Sequence, residues 1–126
     1  MHENEIGTMV VEESIYLHRE LGPGLLETVY EAILASRLMK RGLSVKRQMA
    51  VPIVFEDETF KEGFRADLVV NDKVLLELKS VEQVNNAHKK HLLTYLRLTD
   101  MKLGYLLNFG ENLMKNGIIR TINGRL

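Results

Sequence analysis

Apolar residues recur at helical spacing through the first forty positions of the chain and switch to strict alternation beyond them. Ile6, Val10, Leu17 and Leu21, with Met9 alongside, draw a stripe that Glu13 and Ser14 interrupt, which predicts a helix over about Asn4 to Leu21. Gly22-Pro23-Gly24 ends it. Leu25, Leu26, Val29, Tyr30, Ile33, Leu34 and Leu38 predict a second helix to Lys40, with Gly42 as its stop. Val45, Met49, Val51, Ile53 and Phe55 then alternate with polar positions, a first strand closed by Glu56-Asp57-Glu58. Phe60, Phe64, Ala66, Leu68 and Val70 share one face of a second strand, opposite Lys61, Arg65 and Asp67. A third strand over Lys73 to Ser80 is followed by a helix over Asn85 to Leu98. A strand from Lys102 to Phe109 and a short one around Ile118 to Ile122 complete the order. This order predicts an α/β fold, a mixed sheet flanked by helices.

The turn between the second and third strands decides which side chains meet, because a one-residue change of register moves every side chain to the other face. A two-residue loop of Asn71-Asp72 pairs Asp67 with Leu76 and mixes Lys73, Glu77 and Lys79 into an apolar face. A three-residue loop of Asn71-Asp72-Lys73 pairs Asp67 with Glu77 and gathers Phe64, Ala66, Leu68, Val70, Val74, Leu76 and Leu78 on one side. The apolar pattern favours the three-residue loop, whose left-handed position Asn or Asp tolerates.

Composition adds limits. The length of 126 residues suits one domain spanning residues 1–126, with 45% apolar and 27% charged residues as in ordinary globular chains. Lys plus Arg and Asp plus Glu both number 17, so no overall field draws the chain to nucleic acid or membrane. With no cysteine there is no thiolate nucleophile, disulfide framework or Cys-based zinc site. The acidic opening Met1 to Glu5 lacks the apolar stretch of a signal peptide, and no apolar run reaches membrane-spanning length, so a cytoplasmic location and no membrane partner are expected.

Two carboxylates facing each other across a hairpin repel unless a cation lies between them. Glu77 and Lys79, two apart on one strand, emerge on the same face. Magnesium takes hard oxygen ligands from one or two carboxylates, with water and phosphate filling the rest. A lysine beside such an ion can orient water or offset charge growing on phosphoryl oxygens. A salt-bridge ladder across the hairpin, including Arg65, explains the same residues without chemistry.

Gly24-Leu25-Leu26-Glu27-Thr28-Val29-Tyr30 reads Gly-x-x-Glu-x-x-Tyr, and His18, Phe64-Arg65-Ala66-Asp67-Leu68, Glu77-Leu78-Lys79 and Gly104 to Phe109 stand around it in order. In these motifs, over nearly the whole length, the chain resembles the GxxExxY proteins of the PD-(D/E)XK nuclease superfamily, a restriction-endonuclease-like fold. The resemblance implies Glu27, Asp67 and Glu77 as metal ligands and Lys79 as the catalytic lysine, with Mg2+, or Mn2+, as cofactor. Glu27 lies in the first turn of its helix with Tyr30 and Glu31 one turn on, and a helix-start carboxylate favoured by the dipole reads the same way.

His88, His91 and Tyr95 share one face of the third helix. The family reads His-x-x-Gln with a Tyr four residues later; His88 and Tyr95 match, whereas His91 replaces the glutamine. Two imidazoles near carboxylates favour manganese or another transition metal. Tyr30, Arg65, His88, His91 and Tyr95 are thus expected to contact substrate or support the site. The resemblance implies a metal-dependent nuclease acting on nucleic acid, DNA in the first place. A binding module on a nuclease scaffold and a hydrolase of small phosphate esters are the alternatives. A homodimer is expected because two-fold pairs are the commonest closed assembly.

Overall fold

The computed structural model describes residues 1–126. Helix α1 (Glu3–Leu21) opens with a capping box in which His2 Nδ1 accepts from Asn4 N and Glu5 Oε1 accepts from His2 N. It stops at Gly22, whose φ of 74° lies in the left-handed region that favours glycine. Helix α2 (Glu27–Lys40) leads into strands β1 (Val45–Phe55), β2 (Glu58–Val70) and β3 (Val74–Lys79). Helix α3 (Asn86–Thr99) crosses over to β4 (Leu103–Asn108), and a single 3-10 turn (Met114–Asn116) precedes β5 (Ile118–Ile122).

The five strands lie in the order β1-β2-β3-β4-β5. All neighbours are antiparallel except β3 and β4, whose parallel pairing requires the crossover that α3 supplies. The sheet is covered on both faces. Ile6, Val10, Leu34 and Leu38 of α1 and α2 bury themselves against Leu68, Val70, Val74, Leu76 and Leu78. On the other side Leu92 and Leu96 of α3 meet Val51, Phe64, Ala66, Val69, Leu75 and Leu106. Each such side chain contributes about 1.5–3 kcal/mol by leaving water, which makes β3 and β4, buried from both sides, the firmest part of the sheet.

Element order and type agree with the sequence pattern, and the fold is the mixed-sheet α/β arrangement expected. One face assignment does not hold. Phe64 and Ala66 join the α3 core, whereas Leu68 and Val70, of the same parity, join the α1/α2 core. Strand β1 changes side at the same level, with Val45 against the first core and Met49 and Ile53 against the second. The change coincides with Gln48, whose φ of 49° breaks the pleat. Arg47 still pairs with Leu68 and Met49 with Ala66, so Gln48 and Asp67 are left as the intervening pair. No helix is long and apolar enough to cross a membrane.

Candidate active site

Strands β2 and β3 pair through Leu68–Leu76, Val69–Leu75 and Val70–Val74. The loop between them is therefore Asn71-Asp72-Lys73, with Asn71 and Asp72 in the left-handed region at φ 52° and 54°. This register sets Asp67 opposite Glu77. There the backbone ladder gives way to side chains. Asp67 N donates to Glu77 Oε1 at 3.4 Å, and Leu78 N donates to Asp67 Oδ2 at 2.8 Å. Beyond this point β2 runs on with β1 alone, while β3 continues to Lys79 beside β4.

Burial, and next the charge of Asp67, push the Glu77 carboxyl up to about 8, against the opposing pull of the Asp67 amide and of Lys79. Glu77 is only half-buried, and its side chain lines a small cleft. Lys79 forms no ion pair. Two crowded carboxylates that no Lys or Arg side chain pairs suit a hard divalent ion, to which Asp67 and Glu77 would offer two oxygen ligands. No three His, Asp or Glu side chains stand close enough to form a fuller metal cluster.

A cleft of about 40 Å³ has Glu77 and Lys79 on one wall and His88, His91 and Tyr95 on the other. Tyr95 stacks on Phe64 with ring centroids 3.9 Å apart, and burial, then the charges of Glu77 and Asp67, raise its phenol. His88 serves the capping box of α3, its Nδ1 accepting from Asn85 N, so a neutral ring carries its proton on Nε2 and presents a donor. His91 is exposed, 6.3 Å from the Tyr95 ring, and neither imidazole joins the carboxylates in a ligand cluster. The largest cleft, about 510 Å³ beside His18, Arg19, Pro23 and Leu113, contains none of these groups.

The pattern Gly-x-x-Glu-x-x-Tyr resolves into three different roles. Gly24 has φ 102°, a backbone only glycine adopts without strain. Tyr30 is fully buried; its hydroxyl donates to Gly22 O at 2.6 Å and accepts from Leu25 N at 3.2 Å, while its ring stacks on Phe109. Tyr30 therefore supports the loop and has no surface for substrate. Ser80 Oγ donates to Leu25 O at 2.7 Å, which draws the start of α2 to the residue that follows Lys79. Glu27, the first residue of α2, is exposed and makes no hydrogen bond or ion pair.

The helix carboxylate wired to the pair is Glu31, one turn further on. It is 4% exposed, is met by Arg47 at 3.0 Å, and accepts at 2.6 Å from Gln48 Nε2, which also donates to Asp67 Oδ1 at 3.2 Å. Arg65 donates to Glu62 and to the Gln48 carbonyl, away from the cleft. Asn108, fully buried, clamps the chain leaving β3: Nδ2 donates to Val81 O at 2.9 Å and Oδ1 accepts from Val81 N at 3.1 Å. Sequence reasoning assigned no role to Gln48 or Asn108. A buried amide just past a run of apolar strand residues was the available signal for Asn108; Gln48 offered none.

No curated protein and no solved structure matches the chain. A family model described as PD-(D/E)XK nuclease superfamily matches residues 4–121, a span holding every residue of the site. Strands that part at an acidic pair, a lysine two residues on, and a match of that extent place this chain in the PD-(D/E)XK nuclease superfamily.

Proposed function

We propose that the chain is a divalent-metal-dependent nuclease that cleaves DNA phosphodiester bonds, a member of the GxxExxY group within its superfamily. The observation that carries this reading is the forced proximity of Asp67 and Glu77 where β2 and β3 part, with Lys79 beside them and free of any ion pair. Asp67 and Glu77 would hold the ion, while Glu27, expected as a third ligand, is exposed at the start of α2 and forms no cluster with them. A bound Mg2+, or Mn2+ in its place, would supply positive charge for the phosphate and lower the pKa of water. Lys79 offsets the charge that grows on the phosphoryl oxygens as the bond breaks. His88, His91 and Tyr95, across the cleft, contact the substrate backbone.

The test is a panel of labelled duplex, single-stranded and branched DNA and of RNA, with Mg2+, Mn2+ or chelator. DNA cleavage that needs the metal and vanishes in Asp67→Asn is the expected result. DNA binding without cleavage at any metal sinks the reading in favour of a binding module, and turnover of small phosphate esters alone sinks it in favour of a phosphoesterase.

A further inference from the structure

Gln48 lies in mid-strand with a left-handed backbone, although β1 keeps its register with β2 on both sides of it. A residue with a Cβ adopts that conformation only when its surroundings hold it there. Two contacts do so. Arg65 Nη1 donates to the Gln48 carbonyl at 2.9 Å, and the Gln48 amide lies between Glu31 Oε1 and Asp67 Oδ1 at 2.6 and 3.2 Å. Chemistry fixes the amide's orientation: between two carboxylate oxygens only the NH2 end, with two protons to give, satisfies both. Glu31 cannot yield, because it is buried on α2 and held by Arg47.

Asp67 is thereby tied at both oxygens, Oδ1 to Gln48 and Oδ2 to the Leu78 amide at 2.8 Å. Without the first tie only the Leu78 amide restrains the Asp67 carboxylate, which is then freer to rotate away from Glu77. We propose that Gln48 is a positioning residue, whose amide ties Asp67 to buried Glu31 and so keeps the Asp67 and Glu77 carboxylates turned toward one shared cation position. The inference rests on the nuclease reading for what the pair holds, and on geometry alone for how the pair is held.

Glycine at position 48 separates positioning from a backbone role, since it accepts the left-handed conformation more readily than glutamine does and removes only the amide. In Gln48→Gly the melting temperature should fall by several degrees at most, because buried Glu31 keeps Arg47 but loses the amide on Oε1. In the metal-free protein, hydrogen exchange at the Leu78 amide should quicken about tenfold while the β3–β4 ladder keeps its rates. The dissociation constant for Mn2+, titrated alone, should rise about tenfold or more, as when a partner that orients a ligand is lost. Gln48→Asn tolerates the same backbone and keeps the amide one methylene short of spanning both carboxylates, so it should behave alike, and it decides the matter if the glycine variant fails to fold. Unchanged Leu78 exchange and unchanged Mn2+ affinity in a folded variant overturn the proposal. A natural chain that binds no Mn2+ defeats the nuclease reading instead, while the Leu78 comparison still decides the role of Gln48.

Discussion

Glu31 on α2 and Glu77 on β3 are both withdrawn from bulk water, and their surroundings treat them in opposite ways. Glu31 is met by a guanidinium and an amide, so both of its oxygens have donor partners from within the chain. Glu77 is met by another carboxylate, and its pKa is pushed up to about 8. A carboxylate kept for architecture is neutralised where it stands. One that is left facing its own kind stores repulsion that only something from outside can relieve, which is the condition expected of a metal ligand.

The largest expected effect lies on the outside-facing side of this contrast. If Lys79 acts on the transition state, Lys79→Ala should lower turnover by roughly 10² or more with Mn2+ affinity and melting temperature preserved. Rate, metal titration and thermal unfolding on one preparation check it, and full activity would remove Lys79 from the mechanism.

Next comes Glu31→Ala, which strands the Gln48 amide and frees Arg47. Losing a buried acceptor costs about 1–3 kcal/mol, so the midpoint of thermal unfolding should fall by several degrees. An unchanged midpoint would mean that the internal neutralisation of Glu31 contributes nothing.

The smallest effect is a gain. The Glu77 carboxyl titrates near 8 in the fold and near 4.5 in the unfolded chain, so the fold favours its protonated form. That contribution is intact below the lower value and is lost progressively as pH rises through the upper one. Glu77→Gln mimics the protonated form. In the metal-free state it should melt a few degrees above the natural chain at pH 9 and together with it at pH 4, as judged by circular dichroism. Added Mn2+ should raise the natural chain and leave the variant where it was. A variant less stable at pH 9 would show that Glu77 is held as comfortably as Glu31.

Much of this site was readable before any coordinates, because its main determinant is periodic. Val74, Leu76 and Leu78 share a buried face with Leu68 and Val70, and that match selects the three-residue loop and brings Asp67 opposite Glu77. The shared face of His88, His91 and Tyr95 follows equally from helical spacing, and the structure sets that face across the cleft from Glu77 and Lys79. The link from Glu31 through Gln48 to Asp67 was not readable. It joins three residues far apart in sequence through a backbone conformation that nothing around Gln48 announces, with no glycine, asparagine or turn pattern beside it. The same hidden kink carries Phe64 and Ala66 to the other core, where simple alternation kept them with Leu68.

Tyr30 gives the Gly-x-x-Glu-x-x-Tyr pattern a meaning apart from chemistry. Its hydroxyl staples the loop entering α2 at Gly22 and Leu25, and Gly24, like Gly22, supplies a positive backbone angle in that loop. Two of the three residues in the pattern thus spell a bend in the chain. Neither Asp67, Glu77 nor Lys79 takes part in that bend, so the bend would outlast the replacement of all three.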